Sequence, residues 1–266
     1  MKLEVLLSCM NQKDLGIVKR SRITSDVLVI NQADGEDIEE QVENGQRIRM
    51  FTTNERGLSR SRNMALKYAE GDICVLCDDD EIFEKNYRDK ILKSFEKINK
   101  ADIIAFDVAN KETRLKRKVR RIGYLSSLRI SSCQIAFRRK SIVDNNLSFD
   151  VYMGAGSGNG CGEENKFLLD ALKVGLKIFY VPVQIAKLDS QTSTWFDGFD
   201  QVFFYQRGTA TRYMLGYLPS VIYGIYYIIF KRKRYVVSIS PWKAWRALYA
   251  GIRENVILQQ KASAER

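Results

Sequence analysis

The sequence predicts an α/β fold, a mostly parallel sheet flanked by helices, with a helical, membrane-associating region at its C-terminal end. Three observations predict it. Over the first hundred residues, short apolar runs alternate with stretches of helical period, the signature of βαβ units. The 266 residues are 45% apolar and 28% charged, enough to bury one core. Residues 207–266 then turn basic and aromatic, which divides the chain into a body, 1–206, and a tail, 207–266.

In chain order, Leu3–Ser8 (LEVLLS) reads as a buried first strand and Asp26–Asn31 (DVLVIN) as a second, with a short helix between Lys13 and Arg22. Ile48–Thr52 is a third strand. The helix after it sets Leu58, Ala65, Leu66 and Ala69 on one face and closes at Gly71. Asp72–Cys77 (DICVLC) is a fourth strand. Tyr87, Ile91, Phe95 and Ile98 make the next helical stripe, and Asp102–Val108 follows as a strand. Beyond it, 111–130 reads as a basic loop or helix, and Cys133–Phe137 as a strand. Gly154–Gly162, with five glycines in nine residues, reads as a loop; a helix starts near Glu163, and Ile178–Val183 is the last strand of the body.

The net charge of +11 is unevenly spread. Residues 111–140 hold eleven Lys/Arg against one Glu, and residues 207–266 hold eleven against two. The rest of the chain is therefore acidic, and the two basic tracts suit an anionic surface. The five cysteines are scattered, which argues against a disulfide framework and for a reducing compartment. Cys74 and Cys77 lie three apart on a strand and point to opposite faces, so they read as core thiols rather than metal ligands. The first apolar stretch is short and contains Glu4, unlike a signal peptide, so the expected location is cytoplasmic.

In open α/β sheets a ligand lies beyond the carboxyl ends of the strands, which directs attention to Ser8–Asn11, Asn31–Glu36, Thr53–Arg62 and Asp78–Glu81. Asp78-Asp79-Asp80 follows a buried strand directly. Such a triplet is either an acidic turn capping the next helix or a site where a hard cation offsets crowded carboxylates. Mg²⁺ or Mn²⁺ prefers carboxylate oxygens and bridges them to a diphosphate. The position at a strand's carboxyl end favours the second reading.

The block GLSRSRNMALKYAEG–DICVLCDDDEIF resembles the family 2 glycosyltransferases of GT-A fold, in which an R-N pair on a helix is followed, after a glycine, by a strand ending in D-x-D. Arg62-Asn63, Gly71 and Asp78–Asp80 match in order and spacing. The resemblance covers about residues 1–190. It implies a nucleotide-diphosphate sugar as donor, a UDP-sugar in first place. It places Asp78 against the nucleotide and on the metal, Asp80 on the metal with Asp79 behind them on the donor side, and Arg62 and Arg60 near the nucleotide. Ser8 ends the first strand in the same donor region. Family members carry an acidic residue after the second strand that meets the nucleobase; here Asn31 or Asp34 stands in that region.

Gly160–Phe167 (GCGEENKF) sets two glutamates at a helix start, where carboxylates also serve as simple caps. The resemblance assigns them more. A G-E-D-type motif supplies the general base there, so Glu164 is the expected base and Glu163 positions the acceptor. An inverting transfer needs a carboxylate for this task in a chain without histidine. Many family members complete the metal site with a His after the last strand; here Asp189 replaces it as a ligand, or Lys187 offsets diphosphate charge instead.

Tyr213–Phe230 is eighteen residues without a formal charge and holds five tyrosines, Pro219 and two glycines; Lys231–Arg234 follows. As one helix it would be about 27 Å long, short of a hydrocarbon core of about 30 Å, and its tyrosines and basic cluster favour an in-plane or re-entrant segment over a span. Ser240-Pro241 starts a helix with Trp242, Trp245, Tyr249 and Ile252 on one face, an interfacial pattern. Together these features predict a protein peripheral on the inner face of the plasma membrane; the resemblance to enzymes of bacterial surface-polysaccharide assembly adds a glycan or lipid-linked glycan as the implied acceptor. Two other classes fit less well. A sugar-1-phosphate nucleotidyltransferase should carry a glycine-rich loop after the first strand, which SCMNQKD lacks; a nucleic-acid binder should interleave aromatics with its Lys/Arg, which 111–121 does not. An inactive nucleotide-sugar binder is the remaining alternative.

Overall fold

The computed structural model describes residues 1–110, 117–157, 159–189 and 198–264. The chain forms two compact units: residues 1–149 with 164–193, and residues 150–163 with 194–266. The boundary expected at 206/207 falls inside a helix of the second unit.

The first unit begins with β1 (Leu3–Met10), α1 (Gly16–Arg20), β2 (Asp26–Gln32), β3 (Asp37–Glu43), β4 (Gln46–Thr53) and α2 (Leu58–Tyr68). It continues through β5 (Ile73–Asp78), β6 (Glu81–Phe83), α3 (Tyr87–Lys97), β7 (Ile103–Ala109), β8 (Arg120–Ile122), α4 (Tyr124–Ser127), β9 (Ile135–Arg138), α5 (Arg139–Asp144), α6 (Glu163–Lys173) and β10 (Ile178–Leu188). The strands form one ten-stranded sheet in the order β3-β4-β2-β1-β5-β9-β7-β10-β6, with β8 also on β10. β4, β2, β1, β5, β7 and β10 share one direction, and β3, β9, β6 and β8 oppose it.

Alternate residues of the buried strands feed two cores. Val5, Leu7 and Cys77 join Ile17 of α1 and Ile91 and Phe95 of α3 on one face. Leu6 and Cys74 join Ala65 of α2 and Phe167 and Leu168 of α6 on the other. Cys74 and Cys77 thus point to opposite faces, as their spacing predicts. Burial pushes the Cys9 thiol up to about 12 and holds the Cys77 thiol well above its ordinary value.

The strand order reverses at β1, which has β2 on one side and β5 on the other, both parallel to it. A crevice beyond the carboxyl ends of such strands is where α/β sheets take ligands. In that register Ser8 is the partner of Asp78. The opposite ends of these strands are tied by a buried ion pair. Arg49 of β4 donates to Glu4 of β1 (2.6 Å), to the Tyr68 carbonyl (2.9 Å) and to Glu70 (2.9 Å), and the other Glu4 oxygen accepts from the Glu70 and Gly71 amides. A Cβ on Gly71 would lie 2.6 Å from that of Glu4, which requires glycine there.

Three strands escape the sequence pattern, β3, β6 and β8. All of β3 is exposed, so it shows no hydrophobic alternation; its signal is Asn44-Gly45, whose positive φ values of 52° and 79° form the hairpin turn to β4. The short β6 pairs with an extension of β10 past Val183. In the basic tract, residues 111–116 lie outside the described residues; the remainder supplies β8 and α4.

In the second unit, α7 (Gln201–Leu215), α8 (Tyr217–Phe230), α9 (Arg232–Tyr235), α10 (Pro241–Glu254) and α11 (Val256–Ala264) follow one another. The expected continuous helix over 213–230 is broken at Gly216, whose φ of +83° closes α7. No helix among the described residues is long and apolar enough to cross a membrane. Ser240 caps α10, accepting from the Lys243 amide, with Pro241 in its first turn. The expected interfacial face of α10 is only partly free: Ile252 is buried, and Trp245 packs beside Gly224. α10 lies directly on α7, where a Cβ on Gly208 would lie 2.0 Å from the Leu248 carbonyl and one on Gly251 would lie 2.1 Å from that of Tyr205.

Breaking the buried pair in the first unit tests this account. Arg49→Met strands Glu4 as a buried charge and should lower the free energy of unfolding in urea by about 3–5 kcal/mol.

Candidate active site

α2 carries the residues that organise the carboxyl end of β5. Its N-terminal half presents Ser61, Arg62 and Asn63, three successive residues that fan around the helix axis. Ser61 donates to Ser8 Oγ at 2.9 Å. Arg62 is buried and donates to both oxygens of Asp78, at 2.9 and 3.1 Å, with its guanidinium 5.5 Å from the centre of the Phe149 ring. Asn63 clamps the backbone of Phe149: its amide donates to the Phe149 carbonyl at 2.8 Å, and its carbonyl accepts the Phe149 amide at 2.7 Å.

Two further links lead from Asp78 to the helix bearing the glutamates. Ser132 donates to Asp78 Oδ2 at 3.0 Å. Upstream of it, the carbonyls of Ser127 and Ile130 accept from Asn165 of α6, at 3.3 and 2.9 Å. Phe149 stacks on Phe167 of α6, with ring centres 4.4 Å apart and planes 8° from parallel. The start of α6 is therefore held by the same segments that surround Asp78. Asn165 adjoins Glu164, which is half-buried. Glu163 belongs to the second unit, where it is buried against Gly154, a glycine with φ +92° whose Cβ would sit 3.1 Å from the Glu163 side chain.

The acidic turn has its own support. The Asp78 amide donates to Glu81 Oε1 at 3.1 Å. The Asp189 amide donates to the Asp80 carbonyl at 2.8 Å, continuing the β10–β6 ladder that pairs Leu188 with Glu81. Asp80 and Asp189, far apart in sequence, are thus neighbours. Asp79 is exposed; desolvation of its carboxyl, then the adjacent Asp78 charge, raises its pKa. Among the described residues no three Asp, Glu or Cys side chains gather as a preformed metal cage. The donor set still fits a hard cation, because Mg²⁺ and Mn²⁺ need only one or two carboxylates when substrate phosphates complete the shell, and Asp80 with Asp189 offers that number.

The other expected donor residues separate. Asn31 is buried and locked to its own scaffold, donating to the Gln12 carbonyl and accepting the Gln12 amide, both at 2.9 Å. Asp34 is fully exposed and paired with Arg56 at 2.8 Å. Arg60 lies on the exposed face of α2, and Lys187 is exposed on β10. Arg62 faces Asp78 rather than open space. Sequence reasoning missed Ser132, Phe149 and Asn165, which carry no motif of their own; the Asn63 of the quoted R-N pair is the signal that leads to Phe149.

Comparison with known proteins follows this geometry. Residues 3–157 match glycosyl transferase family 2. No curated protein matches the chain. Among solved structures, S. aureus TarS 1–349 aligns with a TM-score of 0.60 at 14% identity, over 96% of this chain and 82% of its own. Its complex with UDP-GlcNAc aligns at 0.59 and 13%, over 84% and 67%. The mannosyltransferase PcManGT from Pyrobaculum calidifontis, in complex with GDP-Man and Mn²⁺, aligns at 0.53 and 10%, over 99% and 79%.

The Arg62–Asp78 pair can be tested as a unit. Arg62→Met should destabilise by about 2–4 kcal/mol, at or below the cost of breaking a fully buried pair because Asp78 is partly exposed. Adding Asp78→Asn should recover part of that loss, so a double-mutant cycle of urea unfolding should return a coupling of about 1–3 kcal/mol.

Proposed function

The chain belongs to glycosyl transferase family 2 and is a nucleotide-sugar glycosyltransferase of GT-A fold; from that premise we propose an inverting transfer, from a nucleoside-diphosphate sugar to a hydroxyl of a lipid-linked glycan, at the inner face of the plasma membrane in surface polysaccharide assembly. A UDP-sugar is the first donor to try. The observation that carries this reading is the chain of contacts from Asp78 through Ser132 to the Ile130 carbonyl and Asn165, which ties the acidic end of β5 to the start of α6.

In this reading the donor lies over the carboxyl ends of β1 and β5. Asp78, fixed by Arg62, meets the nucleoside, and Ser8 lines the floor. Asp80 and Asp189 are the residues that would hold Mn²⁺ or Mg²⁺, which would supply positive charge to offset the departing diphosphate. Glu164 accepts the proton of the acceptor hydroxyl as that oxygen bonds to the anomeric carbon, and the bond from the anomeric carbon to the diphosphate oxygen breaks on the opposite face. One displacement inverts the configuration. The Glu164 carboxylate is the group suited to accepting that proton in a chain without histidine, and a well-placed base contributes about 10²–10⁴-fold.

A screen of nucleotide sugars for donor hydrolysis and transfer, with and without Mn²⁺, tests the proposal. Glu164→Gln should lower kcat by about 10²–10⁴-fold with little change in donor affinity. Asp80→Ala should weaken the response to Mn²⁺. Wild-type rates in both variants would overturn the assignment of roles.

A further inference from the structure

α8 is apolar on its exposed side as well as on its packed side. The stripe it turns inward is Ser220, Gly224 and Tyr227, all buried. Ser220 satisfies its hydroxyl on the Gly216 carbonyl at 2.5 Å, and Gly224 admits Leu248 so closely that a Cβ would lie 2.6 Å from Leu248 Cδ2. The stripe turned outward is Leu218, Ile222, Ile225 and Ile229, at helical spacings of four, three and four, with Leu218 71%, Ile222 68% and Ile229 59% exposed. Phe230, the last residue of the helix, is also exposed (70%), as are Val237 (95%) and Trp242 (68%) further along the chain. A helix facing water places its small and polar residues outward and its aliphatic residues inward. This one packs Val221, Tyr223 and Ile228 against the core of its unit and still leaves a second aliphatic stripe exposed.

The charge around the stripe narrows what covers it. From Tyr217 to Arg253 there are seven Lys/Arg and no Asp or Glu. Arg232, Lys233 and Arg234 are exposed directly past the end of α8, and Lys243 and Arg246 are exposed on α10. A second copy of the chain meeting this face by a two-fold axis would bring like against like, setting one basic cluster beside another. An anionic bilayer satisfies both features: acyl chains take the aliphatic stripe and headgroups take the cations. Spanning is excluded by length, since the fourteen residues of α8 reach about 21 Å against a hydrocarbon core of about 30 Å.

We propose that α8 lies in the plane of an anionic membrane surface, with Leu218, Ile222, Ile225, Ile229 and Phe230 inserted among the acyl chains and Arg232–Arg234 on the headgroups. The assignment deepens the reading above, resting on it only for a membrane-held acceptor.

Flotation of the full chain with vesicles of phosphatidylcholine, alone or mixed with phosphatidylglycerol, tests it. The wild type should float with the mixed vesicles and much less with the neutral ones. Ile222→Glu/Ile229→Glu should lower the partition by about a hundredfold. Arg232→Gln/Lys233→Gln/Arg234→Gln should lower it on mixed vesicles by about fivefold per charge, with no change on neutral ones. Donor hydrolysis in solution by the same variants should match the wild type, which certifies their fold and separates the two readings: flotation without hydrolysis by any form would sink the transferase reading alone. Should a variant fail to fold, fluorescence of the wild type with brominated lipids serves instead, and Trp242 should be quenched. The inference is overturned if the wild type stays out of the mixed vesicles, if the isoleucine variant floats equally well, if the brominated lipids leave fluorescence unchanged, or if the wild type is a dimer that the isoleucine variant turns into a monomer.

Discussion

The site depends on one buried cation. Arg62 is almost wholly removed from water, and a guanidinium so placed is tolerable only with a partner that accepts its donors in good geometry. Asp78 provides it, with both carboxylate oxygens in reach, and the Phe149 ring adds a cation–π contact. The consequence is positional. The helix before β5 and the loop after it cannot move apart without exposing an unpaired charge, so the Asp78 carboxylate is oriented before any ligand arrives. Asn63 extends the same constraint to the segment leading from α5, because its side chain replaces the strand or helix partner that the Phe149 backbone would otherwise need.

What the sequence revealed of this follows a physical divide. Strands buried on both faces, such as β1, β2 and β5, read as continuous apolar runs, and helices such as α3 announce themselves by one apolar stripe. β3 has no buried side and therefore no pattern; only the Asn44-Gly45 turn marks it. The residue types at the site were legible because Arg-Asn and Asp-Asp-Asp are costly to place without a purpose. Their partners were not. Nothing local in Ser132 or Asn165 tells which carbonyl or carboxylate the fold will bring to it, and Arg62 could be assigned to a ligand or to Asp78 with equal chemical sense until the register of β1 against β5 was known.

Asp80 and Asp189 were brought together in the sequence only by the family resemblance; nothing local shows how the fold joins them. The strand ending in Ile178–Val183 was expected to stop there, but β10 runs on to Leu188 and turns its end against β6. Pro182 lies within it, at a place where the pairing with β7 shifts register, as expected of a residue that cannot donate to a ladder. β10 keeps β7 along one edge on both sides of the shift, while its other edge takes β8 at Ile178–Tyr180 and β6 at Ala186–Leu188. It is the pairing with β6 on that outer edge that brings a carboxylate from late in the chain to the acidic turn.

The choice between the two glutamates is where burial decides more than motif. Glu163 is enclosed by Gly154 on a loop of the second unit, and a carboxyl so covered is poorly placed to meet an incoming hydroxyl. Glu164, one residue on, is half-buried at the head of α6 and belongs to the unit that carries Asp78 and Asp80. Successive helical residues are rotated by about 100°, so the two side chains cannot both face the same crevice squarely. The neighbour that fixes α6 there is Asn165, through the Ser127 and Ile130 carbonyls, which ties the start of α6 to the segment that carries Ser132. A general base needs both access and a fixed position. In the proposed mechanism that requirement favours the half-buried Glu164 over the buried Glu163.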